Sequence, residues 1–218
     1  VHCNDTDEAG RPTFNVLDLT RQPGLPALDL EGRRTFGISS ACGVCGATAI
    51  DALRASRPLA DLHDVPLAVD PDVLVKLPER LRVEQAVFSR TGGLHAAGLF
   101  TADGEPLVVR EDVGRHNACD KVVGWGAREI GLPLHDAILV LSGRASFELT
   151  QKAWSAGIAV VAAVSAPSSL AVEVATAAGQ TLVGFLRDPS FVCYAGAHRI
   201  RRGEPPVRDR PEVSTNTM

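Results

Sequence analysis

Ala137-Ile138-Leu139-Val140-Leu141-Ser142-Gly143-Arg144-Ala145-Ser146 decides the architecture. Its opening apolar run, Ala137 to Leu141, reads as a strand covered on both faces. Behind it, Ala145 to Ala156 fits a helix stopped by Gly157. The same order then repeats: a buried run from Ile158 to Val164, a helix from Ser168 to Ala178 stopped by Gly179, and a third run from Thr181 to Leu186. Strand, helix, strand, helix, strand predicts parallel strands joined by right-handed crossovers.

In such sheets ligands bind beyond the carboxyl ends of the strands. The three ends read Ser142-Gly143-Arg144-Ala145-Ser146, Ser165-Ala166-Pro167-Ser168-Ser169 and Gly184-Phe185-Leu186-Arg187-Asp188. If the strands are neighbours, hydroxyls, Arg144, Arg187 and two helix N-termini converge on one rim suited to phosphate or pyrophosphate. Ser146 and Ser168, taken singly, read as helix N-caps.

Upstream the pattern is looser. Arg115 to Ile130 is helical with Gly131 as the stop, and Leu94–Phe100 with Pro106–Arg110 reads as a hairpin turning at Asp103-Gly104. Pro78 is expected to open a helix that includes Leu81 and Phe88 and ends at Gly92-Gly93, with Pro66 to Pro71 a linker before it. A helix carrying Ala47, Ile50 and Leu53 follows the first cysteine pair, and Phe14 to Thr20 is strand-like. The expected organisation is residues 1–36 as the remainder of a truncated N-terminal region, 37–200 as the main domain and 201–218 as a mobile polar tail.

The chain has 218 residues, 45% hydrophobic and 22% charged, enough for a core without staples. A formal net charge of -4 gives no electrostatic case for nucleic acid. No apolar run is long enough to span a membrane, and no secretory signal peptide is expected. Its 5 cysteines, Cys3, Cys42, Cys45, Cys119 and Cys193, are an odd, scattered set. Together these features suggest a reduced, cytoplasmic protein. The single methionine is the last residue, Met218, which suggests a fragment or processed product.

The thiols that stand out are in Ser39-Ser40-Ala41-Cys42-Gly43-Val44-Cys45-Gly46. Flanking glycines let another molecule approach, and a following helix N-terminus favours thiolate. Other candidates are His95, after Gly92-Gly93, and the polar run Arg110 to Lys121, in which Asp112, Arg115 and His116 stand out and His116, Cys119 and Asp120 can share a helix face. A zinc module built from Cys42 and Cys45 with His116 and Cys119 has plausible spacings. A dithiol oxidoreductase is a third reading. A zinc deaminase fails, because no His-x-Glu precedes the cysteines.

Several motifs together resemble the FdhD family. They are the Cys42-Gly43-Val44-Cys45 stretch, Gly93-Leu94-His95-Ala96-Ala97, and Arg110-Glu111-Asp112-Val113-Gly114-Arg115-His116-Asn117 through Lys121. They continue with Leu141-Ser142-Gly143-Arg144-Ala145-Ser146-Phe147-Glu148, Ser165-Ala166-Pro167 and Thr181 to Arg187. The resemblance covers nearly all of 37–200 in order. It implies a three-layer α/β/α sandwich of cytidine deaminase-like type, with a mixed sheet whose C-terminal part is parallel, acting as a cytosolic homodimer. It also implies a sulfurtransferase: a carrier that takes sulfane sulfur from a cysteine desulfurase and gives it to the molybdenum bis(molybdopterin guanine dinucleotide) cofactor, as formate dehydrogenase requires. Family members carry further strands before the point where this chain starts.

By motif match the persulfide cysteine is Cys42, and the cofactor stretch is Gly184-Phe185-Leu186-Arg187-Asp188-Pro189. Arg144 and Arg187 are then the expected phosphate contacts, with Ser142, Ser165 and Ser168 as hydrogen-bonding partners and Asp188 or Glu148 as the guanine reader. Cys45 can relay the sulfur, or attack the Cys42 persulfide across the flexible Gly43-Val44 bridge. No permanently bound metal is expected.

Overall fold

A computed structural model describes residues 61–201. The elements are α1 (Pro71–Val83), α2 (Phe88–Thr91), β1 (His95–Phe100), β2 (Pro106–Asp112), α3 (Arg115–Glu129), β3 (Ile138–Leu141), α4 (Phe147–Ser155), β4 (Val160–Ala163), α5 (Ser169–Ala178), β5 (Thr181–Arg187) and β6 (Ser190–Ala195), then a 3-10 turn, Ala197–Arg199. The predicted strand at 14–20, the helix at 47–53, both site cysteines Cys42 and Cys45, and nearly all of the C-terminal tail lie outside the described residues.

The strands form one mixed sheet in the order β2-β1-β3-β4-β5-β6. β3, β4 and β5 are parallel, whereas β1 pairs antiparallel with both β2 and β3, and β6 antiparallel with β5. The short apolar runs allow this because every residue of β3 and β4 is buried. Strand alternation then divides the core. Ile138, Val140, Val160, Ala162 and Val183 pack with Leu74, Leu77 and Leu81 of α1. Leu139, Leu141, Val161, Ala163 and Leu182 pack on the other face with Ala118 and Val122 of α3, Leu149 of α4 and Ala171 of α5. The result is α/β with helices on both faces of a mixed sheet, as expected.

Three expectations need correction. The helix expected from Pro78 begins at Pro71: the Asp70 carboxylate accepts the Asp72 N–H at 2.8 Å, and Pro71 at the first position loses no bond. Pro78 sits inside α1, and the element ending at Gly92 is the separate short turn α2. The stretch 66–71 is not a free linker. Val65, Leu67 and Val69 alternate into the core, and the Val69 N–H donates to the Arg199 carbonyl at 2.8 Å. The third correction is an added strand, β6, which returns from β5 through the cis Asp188–Pro189 bond.

Arg199 fastens these peripheral pieces. It is only 2% exposed, and its guanidinium donates to the carbonyls of Val65 at 3.2 Å and Gly179 at 2.6 Å, and closely to that of Leu62. Burial lowers its proton affinity, but five donors meeting preformed carbonyls hold it in place. The Gly179 carbonyl follows the C-terminus of α5, where the helix dipole favours a cation. Arg199→Met keeps the bulk and orphans the carbonyls. It is expected to lose on the order of 2–4 kcal/mol of stability, read as a lower urea midpoint at unchanged slope, with Arg199→Lys recovering only part.

Candidate functional site

The three parallel strand ends meet, as the sequence predicts. The Ser165 N–H donates to the Gly143 carbonyl at 3.3 Å, the Ser168 N–H to the Ala145 carbonyl at 3.0 Å, and the Phe185 N–H to the Ser165 carbonyl at 3.3 Å. Ser165 thus joins all three ends through its backbone. Gly184 is required there, since a Cβ would lie 2.7 Å from Pro167 Cδ and 3.0 Å from the Tyr194 ring. The chain then takes a left-handed step at Phe185 (φ 50), which exposes that ring and turns Leu186 back into the core. Arg144, Arg187, Asp188 and Pro189 are exposed on the rim. Leu186 is fully buried, so a ligand at this edge meets its neighbours rather than its side chain.

The rim serines divide by role. Ser168 caps α5, accepting the Ala171 N–H at 3.2 Å. Ser146 occupies the N-cap of α4 but makes no side-chain cap bond; its hydroxyl lies 3.4 Å from His116 Nε2. Ser142 accepts the Ala96 N–H at 2.8 Å, locking the end of β3 to β1.

Much of the polar run Arg110 to Lys121 builds the turn between β2 and α3. Asp112 accepts the Gly114 N–H at 2.9 Å and the Asn117 amide at 3.1 Å, while Lys121 Nζ lies 2.6 Å from its other oxygen. Lys121, then the Gly114 N–H, holds the Asp112 carboxyl down to about 2. The Glu111 carboxylate accepts the N–H groups of Val87 at 2.9 Å and Phe88 at 2.7 Å, at the start of α2.

His116, at the start of α3, lies with Nε2 2.9 Å from the Glu148 carboxylate of α4. Burial pushes its proton affinity below the usual histidine value, against the opposing pull of Glu148. Arg115 is half-buried beside it, and Lys152 pairs with Asp120 at 2.5 Å. The Glu148 carboxylate is therefore engaged by His116, while Asp188 stands open on the rim. The Cys119 thiol is fully buried among core side chains and burial pushes it up to about 12, while His116 faces Glu148. Cys42 and Cys45, the other half of the zinc reading, lie outside the described residues. Among the described residues no cluster of three His, Cys, Asp or Glu side chains could hold a metal ion.

His95 opens β1 on the other side of the rim. It lines an open cleft of about 740 Å³ bounded by α1, α2 and the ends of β3 and β4, which also includes Ser142. Gly143 stands against it, where a Cβ would lie 3.4 Å from His95 Nδ1. Gln85, which the sequence did not mark, is buried in this wall; a lone glutamine after a helix gives no signal until the walls are assembled.

Comparison with known proteins agrees with the motif order. The model of the FdhD/NarQ family matches residues 17–201. A sulfur carrier protein FdhD from Nocardia farcinica is 56% identical over 201 residues, covering 92% of this chain and 70% of that one. Another protein of that name, from Streptomyces coelicolor, is 53% identical over 202 residues, covering 92% and 71%. The crystal structure of a candidate formate dehydrogenase accessory protein from Desulfotalea psychrophila superposes with TM-score 0.59 at 27% identity, covering 69% of this chain and 62% of that one.

The Asp112 network makes an acid-stability prediction. A carboxyl depressed from 3.8 to about 2 on folding contributes stability that is present above pH 4 and lost as pH falls through 2. Asp112→Asn is therefore expected to be less stable than wild type at pH 7, with the gap closing between pH 4 and 2 in urea titrations.

Proposed function

Because the chain belongs to the FdhD/NarQ family, we propose that it is a sulfur carrier serving formate dehydrogenase maturation. The names of its close relatives are the observation that carries this reading. The chain's own motifs supply the chemistry. In this reading Cys42 is the acceptor: its thiolate attacks the outer sulfur of a cysteine desulfurase persulfide, the donor S–S bond breaks, and the donor leaves as thiolate. The new Cys42 persulfide carries the sulfane sulfur with no net redox change. Cys45 is the neighbouring thiol and the intramolecular competitor for that sulfur.

The substrate at the receiving end is the molybdenum bis(molybdopterin guanine dinucleotide) cofactor. Its pyrophosphate groups match the rim, where Arg144 and Arg187 are exposed and Gly184 lets β5 and the Ser165 turn approach closely. The turn Arg187-Asp188-Pro189 presents a cation and a carboxylate side by side, a pair suited to a phosphate and a guanine N–H edge. We assign the work to the cytoplasm, where a reducing environment keeps Cys42 and Cys45 as thiols, and to a homodimer. No described helix is long and apolar enough to cross a membrane.

Intact-mass spectrometry after incubation with a cysteine desulfurase and cysteine tests the carrier step. A reductant-sensitive gain of about 32 Da, one sulfur atom, is expected on wild type, retained in Cys45→Ala and absent in Cys42→Ala. No adduct on folded wild type, or an adduct that survives Cys42→Ala, overturns the assignment.

A further inference from the structure

Residues 84–94 join α1 to β1 and form one wall of the cleft beside His95, through Gln85, Phe88, Gly92, Gly93 and Leu94. Little of this segment is packed. α2, at its centre, contains no buried residue, and Val87 before it is 46% exposed. Its internal bonds are those of one tight turn: the Gly92 N–H donates to the Phe88 carbonyl at 2.7 Å, the Ser89 hydroxyl to the Gln85 carbonyl at 2.8 Å and the Thr91 hydroxyl to the Val87 carbonyl at 3.0 Å. A helical turn this short is not stable by itself, so its place depends on what it is attached to.

Two side chains make the attachment. Glu111, on the edge strand β2, accepts the Val87 N–H with one carboxylate oxygen at 2.9 Å and the Phe88 N–H with the other at 2.7 Å. Donors at a helix start have no partner within the helix, and a carboxylate is the strong acceptor for them. The Arg82 guanidinium, in the last turn of α1, lies 4.2 Å from the centroid of the Phe88 ring. The far end is a glycine pair. Gly92 is left-handed (φ 67), and a Cβ at Gly93 would meet nothing nearer than the Thr91 carbonyl at 4.0 Å. On either side the chain is fixed: Leu74, Leu77 and Leu81 of α1 are buried, and Ala96 of β1 exchanges hydrogen bonds with Ser142.

We propose that residues 85–93 are a hinged lid on this cleft, latched by the Glu111 carboxylate, and that release of the Val87 and Phe88 N–H groups swings the Phe88 ring aside and opens the cleft. Local opening draws on segments with few buried side chains and exposed hydrogen bonds, which describes the lid and not β1 or β3 beside it. One carboxylate holds both amides, so the two bonds are lost together. The lid concerns access to the cleft and stands whether or not the chain carries sulfur.

Two measurements on the whole chain test it. Hydrogen–deuterium exchange read by peptide mass spectrometry follows the lid. Carbethoxylation of His95 by diethyl pyrocarbonate, mapped on its own peptide, follows access to the cleft. Wild type is compared with two variants, each checked for folding by circular dichroism and thermal midpoint. Glu111→Gln keeps the shape of the latch but turns one acceptor into a donor facing an N–H. Gly92→Ala strains the left-handed turn without touching the carboxylate.

In wild type the lid amides are expected to exchange about a hundredfold or more faster than those of β1 and β3. Each variant is expected to speed lid exchange and His95 modification together, by about tenfold for Glu111→Gln and about fivefold for Gly92→Ala, with β1 and β3 unchanged. Wild-type lid amides as slow as those of β1 and β3 overturn the proposal, because the segment then opens only with the whole fold. So does faster lid exchange with no change at His95, or wild-type behaviour in both folded variants. Glu111→Gln that speeds β1 and β3 in step with the lid also overturns it, making Glu111 a prop of the sheet rather than a latch.

Discussion

The parallel pairing of β3, β4 and β5 is the constraint on which the rest depends. Parallel neighbours must be joined by crossovers, so α4 and α5 lie between successive strands and all three strand ends open on one side. Hydrogen bonds among residues 142–146, 165–168 and 185 follow from that single choice. Antiparallel β1 extends the sheet on one side and brings His95 to the same edge as the end of β3. Antiparallel β6 extends it on the other and fixes the exposed turn that carries Arg187 and Asp188.

Around this sheet, polar residues divide into those that hold the scaffold and those left to meet something else. Asp112, Glu111, Lys121 and Ser168 are satisfied by backbone groups or each other, and they position the starts of α2, α3 and α5. Arg199 is the extreme case, a buried cation held by carbonyls that ties residues 62–65 to the end of α5. His95, Arg144, Arg187 and Asp188 stand outside these networks. They occupy a cleft wall or an exposed rim, where hydrogen-bonding capacity is open to a ligand.

The regular half of the fold could be read in advance because its signals are local. Continuous apolar runs, caps such as Ser168, and stops such as Gly157 and Gly179, both left-handed, need no knowledge of the rest of the chain. Where the signal depended on a distant partner, reading failed. Pro78 looks like the helix start and Pro71 like the end of a linker until Asp70 is seen capping the turn that opens at Pro71. Ser190–Ala195 is a half-exposed edge strand whose irregular pattern is stabilised by β5. Cys119, among charged neighbours, reads as a ligand candidate, but its helix face turns it into the core.

The amino-acid sequence alone determined the parallel α/β core, the place of the rim where its strand ends meet and the resemblance carried by the Cys42–Cys45, His95 and Arg110–Lys121 motifs, because each is written in a contiguous stretch. Only the tertiary structure decided which polar residues are spent and which are free. That distinction depends on partners far apart in the chain: His116 with Glu148, Arg199 with Leu62, and Glu111 with the N–H groups of Val87 and Phe88. Hydrogen bonding is settled by what stands opposite a side chain, and a sequence does not state what stands opposite.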